Sequence, residues 1–109
     1  MVESSPVAYT ESAMSAGGPH FVIRSDVDIR LSTGYRRTLP AKSEWRLAGR
    51  VPQGNVFRPI GTVFTIEGRN IHEAYLVMSG RDLVGFYLPG ESQYSALASP
   101  VALPIGEQQ

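Results

Sequence analysis

The sequence predicts a mainly β domain: a small antiparallel sheet of five or six strands, curled into a partly closed barrel or folded as a compact sandwich, behind a flexible N-terminal tail. Three observations carry this. Residues 62–88 hold three runs of β-branched, aromatic and aliphatic residues separated by EGRN and SGRD, and apolar runs bounded by Gly-containing polar tetrads mark consecutive hairpins. Residues 20–32 alternate apolar and polar with period two, the signature of a strand with one buried and one wet face. The chain carries 11 Gly and 8 Pro, which are costly inside helices and at home in turns. The barrel is preferred, because closure hides sheet edges.

Taken in order, residues 1–19 are rich in Ser, Ala, Gly and Pro and have no sustained period. They read as a tail ending at Gly17-Gly18-Pro19, with Val7 and Tyr9 available for a short edge strand. Residues 20–105 form the domain and 106–109 a frayed end. Strands are expected at 21–31, 45–51, 60–67, 71–79 and 83–89. In the first, Phe21, Ile23, Val27, Ile29 and Leu31 oppose Arg24, Asp26, Asp28 and Arg30, and Ser25 interrupts the apolar set as a bulge would. Residues 33–43 read as a loop. In 45–51, Trp45, Leu47 and Val51 oppose Arg46 and Arg50. Pro52-Gln53-Gly54-Asn55 reads as a tight turn. Pro59 defers the next strand beyond itself, since it cannot donate to a ladder; Ile60, Phe64 and Ile66 then share a face. The strands at 71–79 and 83–89 are apolar on both faces, so they are central or meet a partner. Residues 91–98 suit one helical turn, and PVALPI at 100–105 suits a closing edge strand or a polyproline-like segment. The expected core is Ile23, Val27, Ile29, Trp45, Leu47, Phe64, Ile66, Leu76 and Phe86.

A chain of 109 residues, 42% apolar, fits one domain with a core of its own. No Cys is present, which excludes disulfides, thiolate metal ligands and cysteine nucleophiles. Neither a signal peptide nor a run of about 18 apolar residues is visible, so a cytoplasmic location without a membrane span is expected. Net charge is zero but uneven. Residues 20–58 hold eight basic residues against three acids, a net +5; residues 1–19 carry −2 and residues 59–109 carry −3. All but one of the basic residues are Arg, suited to bidentate contact with carboxylate or phosphate.

No catalytic constellation stands out. His20 and His72 are the only histidines. A metal needs ligands converging from at least three positions, and on a strand the neighbours His72 and Glu73 leave on opposite faces. No metal site and no cofactor are therefore expected. Asp26 and Asp28 could pair for acid–base work. With Arg24 and Arg30 beside them, they read instead as a self-neutralising ladder. Neither a G-x-S-x-G elbow nor a Gly-rich phosphate loop occurs. An enzyme is not expected.

Two stretches could make a binding surface. The basic middle offers Arg36, Arg37, Arg46 and Arg50 with Tyr35 interleaved, the mixture with which small β platforms hold single-stranded nucleic acid. Arg46 and Arg50 should share an exposed face and act together. Against nucleic acid stand the zero net charge and Trp45, which falls on the apolar face of its strand. The rival surface is apolar and contains Tyr75, Met78 and Tyr87, residue types favoured in interface cores. The resulting expectation is a non-enzymatic binding or assembly module that contacts a protein partner or a second copy of itself. The alternative is a small nucleic-acid-binding domain using residues 30–50. A further alternative is a small enzyme or ligand-binding barrel with no visible motif.

Overall fold

A computed structural model describes residues 5–11, 20–31, 36–67 and 71–107. These form thirteen short strands and no helix: β1 (Ser5–Pro6), β2 (Thr10–Glu11), β3 (His20–Ile23), β4 (Val27–Arg30), β5 (Arg36–Leu39), β6 (Glu44–Val51), β7 (Gly54–Pro59), β8 (Thr65–Glu67), β9 (Ile71–Glu73), β10 (Tyr75–Ser79), β11 (Asp82–Leu88), β12 (Gln93–Ala102) and β13 (Ile105–Glu107). Each pairing among them is antiparallel.

The main sheet runs β1-β12-β11-β10-β7-β6-β3-β13, with β2 also alongside β6, and it does not close on itself. Two hairpins, β4–β5 and β8–β9, form separate two-stranded ladders. They exist because each has an apolar face to bury. Val27, Ile29, Leu39, Phe64 and Ile66 come from or adjoin these hairpins and join Phe21, Ile23, Trp45, Leu76, Met78 and Phe86 of the main sheet in one core. Its aromatic spine runs from Trp45, edge-on to Phe64 at 5.7 Å, to Phe86, stacked on Phe64 at 5.6 Å. Aromatic pairs at such separations add to simple area burial. A bridge between Leu31 and Leu97 ties the β4–β5 hairpin to β12.

The opposite face of the same strands carries a second cluster, Val51, Val56, Val77 and Tyr87, with Val7, Tyr9, Tyr75, Val84 and Tyr94 packed around it. Strands β10 and β11 therefore bury both faces, as their unbroken apolar sequences require. Leu47 is only half-buried; every other expected core residue is buried.

Several local expectations are corrected. The strand at 21–31 is two strands, because the chain leaves the main sheet at Arg24–Asp26 to start the β4–β5 hairpin. The loop at 33–43 contains β5, held by pairing with β4 rather than by its own pattern. The strand expected from 60 begins earlier, as β7. Its Pro59 pairs with Trp45 of β6 beyond the positions, Asn55 to Phe57, where β10 pairs on the other side, so a missing donor costs little there. Residues 91–98 are not helical. Ser92 adopts a left-handed φ of 53°, which ends any right-handed turn, and β12 follows. Residues 106 and 107 belong to β13, paired with Val22 and Phe21, instead of fraying. Within residues 1–19, β1 and β2 pair with β12 and β6. Gly17-Gly18-Pro19 and the Gly68–Asn70 part of the EGRN turn lie outside the described residues.

Candidate functional site

The β4–β5 hairpin gathers the first group of arginines. Its register places Arg30 directly opposite Arg36 and Asp28 opposite Thr38. Both arginines are exposed, and neither has an ion-pair partner among the described residues. Like charges directly opposite on a ladder are destabilising. The neighbouring acids do not relieve them. Asp28 Oδ1 accepts from the Thr38 hydroxyl at 2.8 Å, and Asp26 Oδ1 accepts from the Ala41 amide at 2.7 Å. The expected Arg-Asp ladder is thus replaced by two local staples. Arg37 is committed too: its Nε donates to the Thr65 carbonyl at 2.9 Å and its guanidinium lies 4.6 Å from the centre of the Phe64 ring. It ties the two hairpins together.

A concavity of about 670 Å³ is lined by Asp28, Arg30, Arg36, Arg37 and Thr38. A second, of about 370 Å³, shares Arg37 and Thr38 and adds Trp45, Val63 and Phe64. Val63 is the exposed large apolar residue of the described chain, 63% accessible. The two hollows flank β5, so an unpaired arginine pair and an aliphatic anchor share one surface.

The second group lies on the outer face of the main sheet. Arg46 and Arg50 do not act together as expected. A bulge between Leu47 and Gly49 shifts the alternation, so Leu47 belongs to the main core and Val51 to the outer cluster. Arg46 is therefore on the outer face and Arg50 on the other. Arg50 is exposed, whereas Arg46 is half-buried, its Nε inaccessible and without a hydrogen-bond partner among the described residues. Cross-strand register sets Arg46 between His20 on β3 and Arg58 on β7. Beyond Arg58 the same lateral row continues through Tyr75, Tyr87 and Tyr94, since Leu76 pairs with Phe57, Tyr75 with Tyr87 and Tyr87 with Tyr94.

Two of the tyrosines on this face serve the bulges. Tyr9 lies across Gly49 and its hydroxyl donates to the Ala48 carbonyl at 3.0 Å; Tyr94 lies across Gly85 and donates to the Val84 carbonyl at 3.0 Å. Register shifts occur at both places. A bulge leaves backbone groups unpaired, and in each case a tyrosine reaches the carbonyl before the glycine while its ring fills the space a Cβ would need. Tyr9 also stacks on Tyr87, 4.5 Å between centroids and 9° between planes. Burial pushes the Tyr94 hydroxyl above its ordinary value of 10.0. Burial also raises Tyr75, with help from the Glu73 carboxylate that its hydroxyl meets.

Of the apolar trio, Tyr75 and Tyr87 sit side by side on the outer face, Tyr75 half-buried and Tyr87 beneath Tyr9. Met78 turns the other way, into the main core at 2% exposure. Tyr35 lies outside the described residues. Sequence reading passed over Arg58, His20 and Val63 as site residues; no local pattern signals them, because cross-strand register and hairpin docking assemble these surfaces.

Among the described residues no three His, Cys, Asp or Glu side chains gather where a metal could be held, and no helix is long and apolar enough to cross a membrane. Comparison with family models, curated proteins and solved structures finds no match.

Proposed function

We propose that this protein is a non-enzymatic binding module that docks an acidic protein segment on its β4–β5 hairpin. The observation that carries the reading is the Arg30–Arg36 pair, directly opposed, exposed and uncompensated. A partner carboxylate between the two would turn a repulsive contact into paired, charge-assisted hydrogen bonds. Val63 and the adjoining hollow over Phe64 and Trp45 favour a protein over a nucleic acid at this place, since an aliphatic anchor beside arginine matches a protein interface. Arg37 supports the site without contacting the partner, by holding β5 against β8.

The test is a titration of isotope-labelled protein with a synthetic peptide of interleaved Glu and Leu residues. Resonances of Arg30, Arg36, Thr38 and Val63 should shift, and the shifts should vanish in Arg36→Gln and weaken in Val63→Ser. Shifts confined to other faces, or none at millimolar peptide, would refute the reading. A light-scattering mass above the monomer that collapses in Arg36→Gln would identify the partner as a second copy of the chain.

A further inference from the structure

The outer face carries a second, independent surface, on residues the hairpin does not use. Arg46 and Arg58 face each other across adjacent strands, with His20 as the next group on one side and Tyr75 on the other. Two arginines directly opposed call for an anion. Arg46 is moreover held by burial of its stem, with Nε unpartnered among the described residues, so it is already ordered for contact. From His20 to Tyr75 the row crosses three strand spacings of about 4.8 Å each, ~14 Å in all. That makes it a track for successive charges and not a point site.

The aromatic end of the row decides what kind of anion fits. Tyr75 is half-buried beside Tyr87, and this face already holds one flat ring in parallel stack, Tyr9 on Tyr87. Glu73, at the Tyr75 hydroxyl, fixes the ring and repels anions from that side, which leaves the arginine side for charge. Glu44 is exposed on the same strand and face as Arg46, two residues away, and lowers the local charge without cancelling it. A chain that alternates negative groups with flat unpaired rings matches this layout. We propose that the outer face binds single-stranded nucleic acid, with phosphates on Arg46 and Arg58 and a base stacked against Tyr75. Duplexes do not suit it, since their bases offer no free face for stacking.

Fluorescence anisotropy with a labelled oligo(dT) strand over a series of KCl concentrations tests this. Affinity should fall as salt rises. Arg58→Gln should weaken binding at least about fivefold and flatten the log–log salt slope by about 0.7. Tyr75→Leu should weaken it by a similar factor without changing the slope, because stacking releases no counterions. Arg36→Gln, on the hairpin, should leave oligonucleotide binding unchanged, so the two sites fail or stand separately. Arg58 is exposed, and an unaltered thermal midpoint will show that its variant is folded. Absence of binding at low salt, equal competition by poly-glutamate or by duplex of the same length, or loss in Arg36→Gln and not in Arg58→Gln would each overturn the proposal.

Discussion

Tyr94 and Gly85 show how much of this fold rests on single residues. A Cβ built on Gly85 would lie 2.6 Å from the Tyr94 hydroxyl and 2.5 Å from the Ser95 carbonyl, and the latter cannot move aside without breaking the ladder. Gly85→Ala should cost about 1–3 kcal/mol, as overpacking does, measurable by urea denaturation. Tyr94→Phe should cost about 0.5–1.5 kcal/mol by leaving the Val84 carbonyl unpaired. It should also change the alkaline limb. Burial raises the Tyr94 hydroxyl above 10.0, so the neutral form is favoured in the fold. That contribution is complete below pH 10 and is lost as pH rises through the raised folded value. The fall in stability above about pH 10 should therefore be shallower in Tyr94→Phe than in the wild type. An identical limb would mean Tyr94 ionises as freely folded as unfolded. In the core, Phe86→Ala should cost about 3–5 kcal/mol, since the ring is fully buried and stacked on Phe64.

At the scale of elements, the β4–β5 hairpin is the part built for contact at its own expense. Arg36→Gln removes one of two opposed charges, so the variant should be as stable as the wild type, or more stable by a few tenths of a kcal/mol. Equal or raised denaturation midpoints at low salt, converging at high salt, would agree; a marked loss would mean Arg36 has a structural partner. Arg37→Gln should behave in the opposite way, because it severs the bond to Thr65 and the contact with Phe64. The N-terminal segment is a different kind of element. Its pairings β1 and β2 are two residues each, yet Tyr9 adds a ring stack and a hydrogen bond. Tyr9→Ala should speed amide exchange at Thr10 and Arg50 while leaving that of β11 unchanged.

For the whole molecule, the two apolar clusters are opposite faces of the same strands, so neither can melt alone. The single Trp, Trp45, reports the main core, whereas Tyr9, Tyr75, Tyr87 and Tyr94 report the outer one. Urea unfolding followed by tryptophan fluorescence and by tyrosine near-ultraviolet dichroism should give coincident transitions. Separate midpoints would show that the clusters are independent units. The same sharing lets the two proposed sites lie on different faces of one rigid body without competing for residues.

Sequence alone determined the β class, the turns at Pro52-Gln53 and Gly80-Arg81, and nearly all of the main core. Those features depend on local alternation, and Phe21, Ile23, Val27, Ile29 and Leu31 keep their period even where the chain changes sheets between Ile23 and Val27. The double-sided burial of residues 75–79 and 83–88 was also legible, because no polar residue could be spared for a wet face. Tertiary structure decided the rest. β5 and β12 are poor in strand signals and form because partners and buried surface await them. One bulge at Gly49 sends Arg46 and Arg50 to opposite faces, and no pattern of period two can announce it. Arg30 meets Arg36, and Arg46 meets Arg58, through cross-strand register. Register is fixed by which rings fill the core, not by the charges that it happens to bring together.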